Sequence, residues 1–311
     1  MGRGPAIFKG FIFLIISIIY FTNSLYGEYT TQIMEPEPGG KSLYLRLVDR
    51  LSQEGFERSH LESIFSDPRI AFFEEVIDRN LIFRESKANY ARFTSPESMA
   101  LARAFFWEHR GFLQNLERQY GVSKEVIVAI LLVESYFGKW PGRYGILSVF
   151  STLSMLLWTD IAEACKRWLK MRYPEIQDDY LERRLELKSK WAYRELINLL
   201  RLEGRGGIDI LDMKGSWAGA YGLCQFLPSN FLKYGVDGDG DGRIRLDEPY
   251  DSMASIANYL RENGWKKGIS KKEKVKVLMK YNQSNFYVDT VLKVAYRLKK
   301  FGQKGRAIAS K

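Results

Sequence analysis

Three features of this 311-residue sequence predict a mostly α-helical fold. Apolar residues recur at three- and four-residue intervals, strand-like alternation is scarce, and neither a solenoid repeat nor a low-complexity tract interrupts the pattern. The stretches "LYLRLVDRLSQEG", "PRIAFFEEVIDRNLIF" and "ESMALARAFFWEHRGFLQNLERQYG" each carry the helical rhythm for several turns. From Asp160 to Leu202 the chain is densely charged with an apolar stripe that reads as core-facing, and Pro174 separates two helices there. With 46% hydrophobic residues the chain can bury a sizeable core.

The ends read differently from the middle. Residues 1–27, "MGRGPAIFKGFIFLIISIIYFTNSLYG", place Arg3 and Lys9 before an apolar run from Phe11 to Phe21 and then turn polar, the pattern of a signal peptide or an uncleaved N-terminal anchor. The run is short for a membrane span. Residues 28–41 form a polar lead-in containing Pro36 and Pro38, residues 42–301 are expected to form one folded domain, and residues 302–311 a basic tail.

A net charge of +10 points to anionic partners. Export argues against nucleic acid, and no basic stripe interleaved with aromatics marks a nucleic-acid module; cell-wall polymers or anionic lipids fit better. The "KKGISKKEKVKV" stretch reads as a solvated surface. Cys165 and Cys224 have no metal-type or redox-type spacing; export permits them to pair, and nothing in the sequence shows that they do.

One loop has the spacing of a cation site. In "VDGDGDGRIRLDEPYD", Asp237, Asp239 and Asp241 fill the first three ligand positions of a calcium loop, Gly242 sits at the sharp turn, Arg243 offers a backbone carbonyl and Glu248 stands twelfth. Asp-Gly repeats also make ordinary solvated turns. The loop is single and runs into "DSMASIANYLRENGW", which fits a structural staple better than a paired sensor.

The chemistry is expected in "YGVSKEVIVAILLVESYFGKWPGRYG". Ser123 can cap a helix in which every residue from Val126 to Val133 is apolar, so this helix should be buried on all sides. Glu134 follows at its end. Lost hydration and the negative end of the helix dipole both raise a carboxyl pKa there, which suits a general acid that keeps its proton near neutral pH. The competing reading is a surface glutamate on the last turn of a core helix.

Two further clusters follow. "KGSWAGAYGLCQFLPSNF" combines small residues, an aromatic expected at the surface and the amide of Gln225; its glycines at 215, 219 and 222 fit close approach to a ligand and tight packing equally. "YNQSNFY" places Tyr281, Asn282 and Tyr287 before the helical "VDTVLKVAYRLKKFG". Amides and tyrosines suit carbohydrate clefts and are equally ordinary at a helix start.

In this order the clusters resemble the lytic murein transglycosylases of the B type, in the lysozyme-like superfamily. The resemblance rests on the E-S-x-x-G core of "VAILLVESYFGKWPGRYG", on "GSWAGAYGLCQFLPSNF", on the acidic loop with "DSMASIANYLRENGW", and on "YNQSNFY", and spans about Leu43 to Phe301. It implies a mostly helical, lysozyme-like transglycosylase fold with an EF-hand-like loop holding one structural calcium. Glu134 matches the catalytic acid, and Ser216, Gln225, Tyr259, Asn282 and Tyr287 match positions lining the glycan cleft. In the family the loop is closed by the aspartate a few residues on, here Asp251, whereas Glu248 satisfies the ordinary count, so either can complete the shell.

The same resemblance implies cleavage of the bond between N-acetylmuramic acid and N-acetylglucosamine by one carboxyl group, acid first and base second, giving a 1,6-anhydro product without water. Glycan strands of peptidoglycan are the implied partner, association with other cell-wall enzymes is compatible with it, the implied location is the periplasm, and membrane contact is expected only through an uncleaved N-terminal segment. The chain departs from the family in a longer charged helical segment between Glu134 and Ser216, in Cys224 where a glycine or other small residue is expected, and in a short Trp265–Tyr281 interval without room for a β subdomain. Two other functions fit the same residues: a silent glycan-binding module, which would release no anhydro product, and a calcium-responsive surface protein, which would change conformation on binding calcium.

Overall fold

The structure, a computed structural model, describes residues 41–83 and 88–309. The leader and nearly all of the polar lead-in lie outside the described residues. The expected helical class holds: α1 to α14 account for most of the described chain, and the β structure is one antiparallel pair, β1 (Tyr144–Gly145) with β2 (Lys214–Gly215), Tyr144 facing Gly215. This is the mostly helical architecture that the family resemblance implies.

The described chain divides into two compact units. Among the described residues, the first unit comprises 88–134 and 256–309 and the second comprises 41–83 and 135–255. The boundaries fall inside helices, at Glu134/Ser135 in α7 (Lys124–Ser135) and Ser255/Ile256 in α12 (Pro249–Glu262). No glycine- or proline-rich linker marks them, which is why composition alone shows one domain.

In the first unit, α4 (Ala88–Ala91) and a 3-10 turn (Arg92–Thr94) lead to α5 (Pro96–Glu108), started by Ser95, whose hydroxyl accepts the Ser98 N–H at 3.2 Å, and by proline at the first helical position. The long run expected here breaks at His109 (φ −100°, ψ 17°), and α6 (Arg110–Tyr120) ends on Gly121 at φ 69°. α7 then carries Val126–Val133 with every residue buried, as expected. Truncating Ile127 or Leu131 to alanine in such a core costs roughly 2–5 kcal/mol. A capping box between Ser270 and Glu273 opens α13 (Lys271–Tyr281). α14 (Asn285–Ala309) packs on α5 and α13 and carries helix through most of the stretch read as a tail.

The second unit is built around α8 (Ile146–Met155), buried at every position and packed against α3 (Glu74–Ile82) and α10 (Asp178–Leu200). Its four hydroxyls are all satisfied: Ser151 and Ser154 donate to the carbonyls four residues back, Ser148 accepts the Ala71 N–H and Thr152 the Phe73 N–H. Those last two bonds explain a difference from expectation. "PRIAFF" was expected to be helical with the residues after it, but its N–H groups go to α8 and the helix begins only at Glu74. α1 (Lys41–Gln53) pairs with α2 (Arg58–Phe65), and Pro174 separates α9 (Thr159–Arg172) from α10 as expected. The short α11 (Pro228–Tyr234) packs on α10.

Candidate active site

Glu134 occupies the last turn of α7 and is 2% exposed. Burial pushes its carboxyl up to about 8, with the Tyr287 hydroxyl pulling it part of the way back. The buried alternative therefore prevails over the surface glutamate. Tyr287 is fully buried, and its own hydroxyl is raised well above the ordinary range, first by burial and then by the charge of Glu134. The Tyr287 hydroxyl thus favours the charged form of Glu134 against the larger effect of burial.

Local structure explains how Tyr287 arrives there. The Ser284 hydroxyl accepts the Tyr287 N–H at 3.1 Å, an N-cap that starts α14 on the turn carrying this ring. Asn282 caps the end of α13, donates its N–H to the Leu278 carbonyl at 2.9 Å, and is 2% exposed. Tyr281 stacks on Tyr287 (6.2 Å, 8°), and Tyr259 meets Tyr281 edge-on at 4.9 Å. The Tyr259 hydroxyl donates to the Lys280 carbonyl at 2.6 Å, which holds the end of α13. Thus Glu134, Tyr259, Asn282 and Tyr287 belong to one unit, with Tyr281 binding the rings together. Tyr90, which also raises the Tyr287 pKa, went unnoticed in the sequence because "ANYARF" carries no spacing that connects it to the later cluster.

In the second unit the S-x-x-G part of the E-S-x-x-G core resolves into turn chemistry. The Ser135 hydroxyl donates to the Leu223 carbonyl at 2.8 Å and accepts the Gly138 N–H at 3.0 Å. Tyr136 and Phe137 between them adopt the left-handed region (φ 54° and 59°), an uncommon conformation for side chains of this size, and Tyr136 stacks on Trp140 at 4.4 Å. Neither residue was legible as special from sequence.

Ser216 and Gln225 also serve the backbone. The Ser216 hydroxyl accepts from Ala218 and Ala220 N–H groups at 3.3 and 3.1 Å, shaping a tight turn. Gln225, left-handed at φ 50° and 4% exposed, donates its amide to the Gly222 carbonyl at 2.8 Å. Two of the glycines are explained by packing: a Cβ on Gly219 would stand 2.2 Å from the Phe150 ring, and one on Gly222 would stand 2.2 Å from the Leu246 carbonyl oxygen. The aromatic of this cluster expected at the surface is not found there: Trp217 is 7% exposed, its carbonyl taken by Asn80 at 2.9 Å, and Tyr221 is half-buried. Cys165 and Cys224 are buried free thiols.

The acidic loop gathers Asp237, Asp239 and Asp251, with one oxygen of each within 4.8 Å of the others. Asp237 accepts the Gly240 and Gly242 N–H groups; Asp251, 2% exposed, accepts those of Gly238 and Arg245. Glu248, twelfth in the count, faces Arg245 at 2.7 Å instead. Asp241, expected among the ligands, takes the Arg243 N–H and the Arg245 guanidinium. A set of three converging carboxylates, acceptors only, fits a hard cation such as calcium.

Residues 41–277 match the family described as the transglycosylase SLT domain. The chain belongs to that family. It is 30% identical over 235 residues to the membrane-bound lytic murein transglycosylase B of Escherichia coli (strain K12), across 72% of this chain and 57% of that protein. The chain thus spans little more than half the length of that relative. Its fold is similar to the soluble lytic transglycosylase SltB1 from Pseudomonas aeruginosa (TM-score 0.67, 23% identity, 83% of this chain and 98% of that one). It is similar also to the Escherichia coli lytic transglycosylase Slt35 in complex with calcium (TM-score 0.65, 23% identity, 83% and 92%).

Proposed function

We propose that this SLT-domain protein is an exported peptidoglycan lytic transglycosylase that cleaves the β-1,4 bond between N-acetylmuramic acid and N-acetylglucosamine without water, using Glu134 as acid and then base. The observation that carries the proposal is the buried Glu134 carboxyl, which keeps its proton up to a pH of about 8. An acid catalyst for glycoside cleavage must hold that proton at neutral pH and yield it to the leaving oxygen.

Glu134 donates its proton to the glycosidic oxygen as the bond to the anomeric carbon breaks. The muramic acid C6 hydroxyl oxygen then bonds to that carbon, and its proton returns to Glu134. The enzyme is restored, no water is consumed, and no second carboxylate is required, unlike the usual paired scheme. A site at which the acid is 2% exposed favours the internal hydroxyl over bulk water. The Tyr287 hydroxyl steadies the carboxylate formed between the two transfers, since it lowers the Glu134 pKa. Ser216, Gln225, Tyr259 and Asn282 are assigned to glycan binding on the family resemblance. The Ser216 and Tyr259 hydroxyls act there through the backbone that they hold.

Calcium belongs to Asp237, Asp239 and Asp251 in this reading, Asp251 rather than Glu248 closing the shell; when bound it supplies a structural cross-link within the loop. Export agrees with the apolar leader and with the membrane-bound description of the Escherichia coli relative.

The test is mass spectrometry of soluble products from purified peptidoglycan. Muropeptides ending in 1,6-anhydro-muramic acid, absent with Glu134→Gln, are expected. Reducing-end muramic acid would instead mean a hydrolase, and retained glycan binding without product a silent module.

A further inference from the structure

In the first unit, a patch of exposed aromatic rings, each carrying a cation, joins α5 to the second half of α14. Trp107, Tyr296 and Phe301 are 41%, 59% and 41% exposed, far more than rings in a core. The Arg110 guanidinium lies 5.7 Å above Trp107, the Lys300 ammonium 4.9 Å above Tyr296 and the Arg103 guanidinium 5.0 Å above Phe301. Arg103 and Trp107, four residues apart, share one face of α5, and Tyr296 and Lys300 share one face of α14. The contact of Arg103 with Phe301 bridges the two helices. Across 103–110 and 293–301 the charged residues are Arg103, Arg110, Lys293, Arg297, Lys299 and Lys300 against the single acid Glu108.

We infer that this face docks on an anionic lipid surface. Rings with one apolar body and adjacent cations are the composition of a membrane interface, where the ring enters the headgroup boundary and the cation meets lipid phosphate. A sugar platform fits less well: a pyranose ring stacks on a bare aromatic face, and here each ring has a cation over a face. The net charge of +10 has the sign such a surface requires. None of these residues belongs to the proposed catalytic machinery, so the inference stands apart from the glycan chemistry. Docking would keep the enzyme at the bilayer whether or not the leader remains attached.

The test uses the full chain and two kinds of vesicle, phosphatidylcholine alone and phosphatidylcholine with phosphatidylglycerol, read by co-sedimentation. Any insertion of the N-terminal apolar run would be common to both vesicles, so the readout is the ratio of anionic to neutral partition. Each Lys or Arg held at an anionic surface is worth about fivefold, so Arg110→Gln with Lys300→Gln should lower the ratio about 25-fold while leaving thermal stability unchanged. Brominated acyl chains in the anionic vesicles should quench part of the tryptophan fluorescence, and Trp107→Phe should abolish that part. Equal ratios for the unmodified protein and the double variant would overturn the inference, as would quenching that survives Trp107→Phe. So would loss of binding to isolated peptidoglycan in the double variant with vesicle binding unchanged, an outcome that assigns the face to the wall polymer.

Discussion

Glu134 and Asp237 carry the same functional group in opposite surroundings. Glu134 ends a helix apolar at eight consecutive positions, Val126–Val133, and burial pushes its carboxyl up to about 8. Asp237 sits in a glycine-rich loop, where the Gly242 N–H, joined by that of Gly240, holds its carboxyl below the ordinary range. Desolvation that outweighs a neighbouring donor makes a carboxyl that keeps its proton; convergent backbone donors make a carboxylate ready for a cation. One region is thereby suited to proton transfer and the other to ion binding.

The strongest way to break that contrast is to remove the proton at Glu134. Glu134→Gln should lower cleavage of purified peptidoglycan by at least about 10²–10⁴-fold, the range for positioned acid–base groups, as measured by muropeptide release. A smaller loss would place the acid elsewhere.

Stability should expose the same burial. A carboxyl raised from an ordinary 4.5 to about 8 is protonated when folded and ionised when unfolded between those values. The unfolded state then binds fewer protons, so stability falls as pH rises through that window and levels off above it. Urea unfolding of the unmodified protein should show this decline, a few kcal/mol in all, and Glu134→Gln should lack it. Parallel pH profiles for the two proteins would mean that Glu134 is solvated.

The loop should respond to calcium and not to this proton. Calcium at 100 times its dissociation constant should stabilise the unmodified protein by about 2.7 kcal/mol. Asp251→Asn should lose most of that gain in a thermal melt with and without chelator. Glu248→Gln should keep it, because its partner Arg245 is an exposed ion pair worth about 0–1 kcal/mol. The reverse pattern would return the closing position to Glu248.

The finest adjustment concerns Tyr287. Its hydroxyl lowers the Glu134 pKa, so Tyr287→Phe should move the alkaline limb of the kcat/KM profile upward in pH. A limb that stays in place would separate the two groups.

Much of the site was written in local patterns. The apolar run before Glu134 predicts burial because eight consecutive apolar residues leave a helix no polar face, and the Asp-x-Asp-x-Asp-Gly spacing predicts a cation loop because the ligand positions are set by backbone curl. Other features depend on residues far apart in the chain. "PRIAFF" has helical periodicity, yet Ser148 and Thr152 capture its N–H groups. Glu248 satisfies the count, yet Arg245 takes it and leaves the place beside Asp237 to Asp251. Gly219 and Gly222 could have faced a ligand, and the Phe150 ring and the Leu246 carbonyl show that they answer to packing.

By itself, then, the sequence determined the helical class, the buried helix leading to Glu134 and the position of the acidic loop, because each depends on periodicity or spacing within some twenty residues. Tertiary structure alone decided that Tyr90, Tyr259 and Tyr281 gather with Tyr287 and that Asp251 joins Asp237 and Asp239. It also decided that a chain without a visible linker forms two units divided inside α7 and α12. These depend on which distant groups compete for one donor, one ring face or one cavity, and that competition is settled only when the elements pack.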